Sequence, residues 1–208
     1  MTWLTPDAGK LSLIAKGVRK EKSKLAGGIE LFSESDISFI RGKGEIGTLI
    51  SSRLITHYQN IAREIERTQT GFNFLKIVNK TVEEESGQDW YELLKSALTG
   101  LNDPALEVDK IRLWFNLHWL KLSGHSPNLR TDTEDQQLKE QVRYFFDFEK
   151  MAFEPNSEGP FVSAHIKLLR LGLRVSIPQG LGRVQGAKEE ISDAVELTDT
   201  MLKQFVRI

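Results

Sequence analysis

The sequence predicts an α+β protein, a small curled antiparallel β-barrel followed by an α-helical domain, and three observations carry this. Apolar residues alternate with period two over roughly the first fifty residues, between Gly-rich turns and with no helix intervening. The period switches to about three and a half after Thr56. The most apolar stretch, Ile111 to Leu120, is greasy almost all round, as a central helix must be.

The first strand is Leu11 to Ala15, with Leu11, Leu13 and Ala15 on one side and Ser12, Ile14 and Lys16 on the other. Gly17 allows a bend, and a dense basic loop follows. Between Lys10 and Lys24 stand six cations, Lys10, Lys16, Arg19, Lys20, Lys22 and Lys24, against the single acid Glu21, in a chain of formal net charge -1. Behind Gly27 and Gly28 come a second strand over 29–39, the turn Arg41-Gly42-Lys43-Gly44 and a third strand over 47–55. The barrel therefore spans residues 1–56, with Arg41 and Lys43 adding charge to the loop.

The helical domain spans 57–208. Asn60 caps a first helix that runs to about Val82, with Ile61, Ile65, Phe72, Leu75 and Val78 as its apolar stripe and Arg63, Glu64, Glu66 and Arg67 outside it. The acidic Glu83-Glu84-Glu85 follows. Asp89 caps a shorter helix, 90–98, that Gly100 ends, and Asp103-Pro104 opens the core helix. A small hairpin falls near 142–154, and Pro160 and Ser163 open a helix carrying Ile166, Leu168, Leu169 and Leu171. Gly180, Gly182 and Gly186 read as a flexible linker. Residues 187–206 form a closing amphipathic helix with Ile191, Val195, Thr198, Leu202 and Phe205 on one face.

Composition bounds the chemistry. At 208 residues, 39% hydrophobic and 27% charged, the chain has an ordinary globular balance and no apolar run of membrane-spanning length, so the default location is cytoplasmic with no membrane partner. Zero cysteines exclude disulfides, thiolate catalysis and zinc fingers. His57, His118, His125 and His165 have no metal-ligand spacing, and no catalytic constellation stands out, so neither cofactor nor enzyme is implied. Trp114, Phe115 and Trp119, on a helix among leucines, read as core rather than as a base-stacking platform.

Two stretches resemble a known family. The run Leu4-Thr5-Pro6-Asp7-Ala8-Gly9-Lys10, the following LSLIAKGVRKEKSKL, then Gly27 to Phe32 and the Arg41 turn are similar to the amino-terminal domain of the bacterial recombination mediator RecO. In that family an LT-P-x-x-GK segment leads into a KGxRRxKS-type loop within an oligonucleotide-binding (OB) fold. The segment Leu122 to Leu129, LSGHSPNL, resembles the family's L-x-G-[aromatic]-x-P-x-L stretch at the end of a long helix. Two departures stand beside the likeness. Only Met1, Thr2 and Trp3 precede the LT-P segment, so the barrel's first strand is expected to be missing, whether the start is misplaced or the barrel is open or completed from elsewhere. Where many members have a first Cys-x-x-Cys of a four-cysteine zinc site, this chain reads Asp132-Thr133-Glu134-Asp135, which implies a metal-free region.

The resemblance implies single- and double-stranded DNA as partners, strand annealing and recombinase loading in homologous recombination and repair, together with a RecR-like partner and the tail of single-strand-binding protein. DNA phosphates would meet Lys10, Lys16, Arg19, Lys20, Lys22, Lys24, Arg41 and Lys43 without reading sequence. The acidic, Phe-ended tail needs an apolar pocket rimmed by cations, and the cations beside apolar helix faces are Arg112, Lys121, Lys167, Arg170 and Arg174. Two rival readings remain, a protein-interaction adaptor whose degenerate barrel no longer binds DNA and an enzyme acting on nucleic acid.

Overall fold

Thr5 and Gly9 close the first turn of the chain. The Thr5 hydroxyl accepts the Ala8 N–H at 3.1 Å and donates to the Gly9 carbonyl at 3.0 Å, while Gly9 takes the left-handed φ of 62° that a glycine adopts without strain. This turn joins β1 (Thr2–Thr5) to β2 (Gly9–Ala15), which pair antiparallel with Trp3 opposite Leu11. Residues 2–5, which include the Leu4-Thr5 of the LT-P segment, thus form a strand of their own. The computed structural model describes residues 1–16, 25, 27–42, 44, 46–82, 87–184 and 188–206.

Two compact units divide the chain, Met1–Pro104 and Ala105–Ile208. In the first, β3 (Ser33–Ile40) and β4 (Ile46–His57) complete a sheet of order β1-β2-β4-β3. The α+β class holds, with two corrections. Among the described residues the sheet is open rather than closed into a barrel, and β2 pairs with β4 in parallel, Leu13 beside Gly47 and Ala15 beside Leu49. Alternation says which residues share a face, but it does not say which strands become neighbours. Leu13, Leu25 and Leu49 form the buried centre of this sheet, packed by Trp3, Leu11, Ile29, Ile37 and Phe39.

A short 3-10 turn, Ile61–Arg63, leads into α1 (Ile65–Thr81), followed by α2 (Gln88–Asn102). The inward stripe of α1 is Arg67, Thr70, Gly71, Phe74, Ile77 and Val78, a clean i, i+3, i+4, i+7 row. The stripe expected from hydropathy is rotated from this one, since Ile65 is 79% and Phe72 49% exposed while Arg67 is 4% exposed. The buried Arg67 guanidinium finds carbonyl and carboxylate partners, so burying it is not the penalty that hydropathy assigns. Glu83 to Glu85 lie outside the described residues.

The second unit is built on α3 (Val108–Leu122), on which Ile111, Leu113, Phe115, Leu117 and Leu120 are wholly buried, as a central helix requires. Its end is a Schellman cap: Gly124, at φ 79°, donates to Lys121 O at 3.2 Å and His125 donates to Leu120 O at 2.7 Å. Pro127 then stops further winding. A three-stranded sheet of order β5-β7-β6 follows, with β5 (Asn128–Asp132) parallel to β7 (Ala152–Pro155) and β6 (Tyr144–Asp147) antiparallel to it. Strand β5 has little sequence signal, because Leu129 is its one apolar residue.

Helices α4 (Ser163–Arg174) and α5 (Lys188–Phe205) pack on α3 and on each other. Trp114 and His118 stack with ring centroids 4.5 Å apart and reach the end of α4, Trp114 Nε1 donating to Val175 O at 3.0 Å. Burial holds the His118 imidazole below its ordinary range despite its contacts with the Gly172 and Val175 carbonyls. The expected linker at Gly180 is instead a packed 3-10 turn, Pro178–Leu181, in which Leu181 is fully buried; Gly186 lies outside the described residues.

Candidate nucleic-acid interface

Strand β4 carries a neighbour on each side at the same level. Thr48 pairs with Ile14 of β2 and with Ile40 of β3, so the ends of β2 and β3 flank β4 about 10 Å apart. Lys16, one residue past the end of β2, and Arg41, one past the end of β3, are both exposed, and among the described residues neither is held in an ion pair. Two cations that stand 25 positions apart in sequence therefore border one strand.

Lys10 behaves differently. Its ammonium donates to the Asn79 carbonyl at 2.9 Å, in the last turn of α1, where the helix dipole favours a cation. One of its three donors thus ties β2 to α1. Arg19, Lys20, Lys22, Lys24 and Lys43 lie outside the described residues. Farther along the sheet, the exposed Arg53 is ion-paired with Asp36 directly across the strand pair, which offsets its charge.

Two family models cover nearly all of the chain: that described as Recombination protein O N terminal matches residues 1–58, and that described as Recombination protein O C terminal matches residues 63–207. The chain belongs to the RecO family. Among curated relatives named DNA repair protein RecO, one from Dehalococcoides mccartyi is 34% identical over 147 residues, covering 70% of this chain and 57% of its own length. Another, from Desulfatibacillum aliphaticivorans, is 33% identical over 132 residues, 62% of this chain and 51% of the relative. The chain thus spans about half the length of these relatives. Of the stretches that carried the RecO resemblance, Leu4 to Lys10 contains the Thr5–Gly9 turn and Leu122 to Leu129 contains the Gly124 cap, while most of the basic loop, residues 17–24, lies outside the described residues.

The zinc site of many RecO proteins does not fit the residues present here. The chain has no cysteine, and the corresponding Asp132 is 6% exposed. Its Oδ1 accepts the N–H groups of Glu134 and Gln136, each at 2.9 Å, and its own N–H donates to Gln136 O at 2.8 Å. A carboxylate turn therefore ties this segment together. Among the described residues, no group of three or more His, Asp or Glu side chains is arranged to hold a metal ion.

The five cations considered for a partner groove are scattered over the second unit. Arg112 bridges Asp109 at 3.0 Å and Asp199 at 2.6 Å, Lys167 pairs with Glu140, and Lys121 is exposed in the last turn of α3. Arg170 and Arg174 come together. They line a cleft of about 450 Å³ with Pro127, Leu129, Leu173 and Arg130, where Arg170 donates two hydrogen bonds to Leu129 O at 2.8 and 2.6 Å. Sequence reasoning missed Arg130, because nothing in the pattern of β5 marks it as a strand beside α4.

Proposed function

We propose that this RecO-family protein binds single- and double-stranded DNA through the barrel-like domain, residues 1–56, and promotes strand annealing and recombinase loading during recombinational repair. What carries the reading is the pairing of β4 with both β2 and β3, which sets Lys16 and Arg41 on either side of one strand. The basic segments containing Arg19, Lys20, Lys22, Lys24 and Lys43 continue from those two strand ends in sequence. Phosphate contacts from such cations are independent of base identity, and two strands held on one cationic surface repel each other less. The role is non-catalytic and cytoplasmic. No helix among the described residues is long and apolar enough to cross a membrane.

The helical domain, 57–208, would serve the protein partners that family membership suggests, a RecR-like protein and the tail of single-strand-binding protein. The cleft with Arg130, Arg170 and Arg174 around Pro127, Leu129 and Leu173 supports the second, since a Phe-ended acidic tail needs cations around an apolar floor. A gel-shift assay with single-stranded and duplex DNA at low salt tests the central claim. Retarded complexes of both are expected, whereas a folded protein that retards neither leaves the adaptor reading.

A further inference from the structure

The outer face of the first sheet carries isoleucine where a solvated face carries polar residues. Ile14, Ile40, Ile46 and Ile50 are 49%, 62%, 56% and 47% exposed. The register makes them one patch: Ile14 and Ile40 lie across Thr48 from each other, and Ile46 and Ile50 lie before and after it on β4. Strand spacings set its size at roughly 10 Å by 14 Å. Single exposed apolar residues are ordinary, but four on adjoining positions of one sheet face call for an occupant.

Charge at the rim identifies the occupant. Lys16 follows Ile14 by two positions, just past the end of β2, and Arg41 directly follows Ile40 at the end of β3, both exposed. The nearest acid along β3, Asp36, is set off from the patch by Ser38 and neutralised by Arg53. A ligand that places anions at the rim and uncharged flat surfaces on the floor matches this layout. A single-stranded nucleic acid has both parts, whereas a duplex keeps its bases stacked inside and presents mainly phosphate.

Resting on the DNA-binding reading above, we infer that Ile14, Ile40, Ile46 and Ile50 form a floor for the unstacked bases of single-stranded DNA, and so give the protein a preference for single strands. Aliphatic side chains have no donors or acceptors. They cover the flat face of a base without engaging its pairing edge, which leaves that edge free to meet a complementary strand. The contact discriminates base from no base, and not one base from another.

The test compares three labelled probes of equal length: a single strand, a strand of abasic sugars with the same phosphates, and a duplex. Wild type is expected to bind the base-bearing strand more tightly than the abasic one. In the Ile14→Thr/Ile50→Thr variant this advantage should shrink by roughly tenfold, with abasic and duplex binding unchanged. Threonine is β-branched and keeps the strand preference, and Ile40→Thr/Ile46→Thr supplies an independent pair should the first not fold. Equal wild-type binding to base-bearing and abasic strands overturns the inference alone, as does an undiminished advantage in a folded variant. A variant that changes oligomeric state instead of base discrimination also overturns it, by making the face an interface between copies. Failure of the wild type to bind any probe sinks the DNA-binding reading itself.

Discussion

Arg67 Nη1 donates a 2.9 Å hydrogen bond to the carbonyl oxygen of Leu101, one residue before the end of α2. The same guanidinium reaches Asp103 O at 3.0 Å and Pro104 O at 3.3 Å, and Nε meets Glu64 at 3.1 Å. A planar fork is needed to serve several carbonyls at once, and a cation suits the negative end of a helix. This one side chain joins the start of α1 to the end of α2 and fixes which face of α1 turns inward.

Arg67→Met should therefore destabilise the protein by about 3 kcal/mol, since it leaves buried carbonyls without donors. For a chain of this size that lowers Tm by about 10 °C. Arg67→Lys should fall between wild type and Met, because one ammonium cannot reach all three carbonyls. Thermal melts check both, and a Met variant as stable as wild type would dismiss the role assigned to the fork.

Charge reversal of the basic loop, Arg19→Glu with Lys20→Glu, should weaken binding to all DNA sequences alike. The log-log salt dependence should flatten by about 0.7 to 0.9 for each phosphate no longer neutralised by the protein. Titrations at several salt concentrations read both effects, and unchanged affinity in a folded variant would place the interface elsewhere.

Chelation should leave Tm unmoved, because the segment that holds zinc in many relatives is closed here by the Asp132 carboxylate. Asp132→Ala should cost about 1 to 3 kcal/mol, as two backbone N–H groups lose their acceptor. A melt in EDTA that drops while Asp132→Ala is neutral would reverse this assignment.

Acid should release a tie between β3 and α2. Glu34 Oε1 accepts from Tyr91 at 2.7 Å and from Lys95 at 2.9 Å. Burial by itself would raise the Glu34 carboxyl, but hydrogen bonds from Lys95 and Tyr91 and the Lys95 charge outweigh it and hold it below its ordinary 4.5. A carboxyl lowered on folding contributes stability that is present above about pH 4.5 and lost as pH falls through its folded value. Stability measured against pH should fall less steeply below that point in Glu34→Gln, and an identical acid limb would mean that the tie contributes nothing.

The cleft of the second unit should take an acidic peptide ending in phenylalanine. Arg174, unlike Arg170, ties down no carbonyl within the cleft, so Arg174→Glu should leave the fold intact and lower the affinity roughly tenfold by removing a charge-assisted hydrogen bond to the peptide. Fluorescence titration decides. A wild type that ignores the peptide removes this partner, and equal binding by the variant moves the groove away from Arg174.

Much of this protein was determined by its sequence alone. The Thr5–Gly9 turn, the Gly124 cap, the apolar α3 and the order of sheet before helices depend on interactions within a few residues or on local periodicity, and the first two lie in stretches that carried the RecO resemblance. Tertiary structure decided the rest. Periodicity groups side chains on a face but does not choose which face is buried, so the inward turn of α1 waited on Arg67 finding carbonyls 34 to 37 positions away. The parallel pairing of β2 with β4 is likewise long-range, and together with the β3–β4 pairing it sets Ile14 and Ile40 on either side of Thr48 with Lys16 and Arg41 at their borders. The arginine cleft has the same origin, because Arg130 joins Arg170 and Arg174 once β5 lies beside α4.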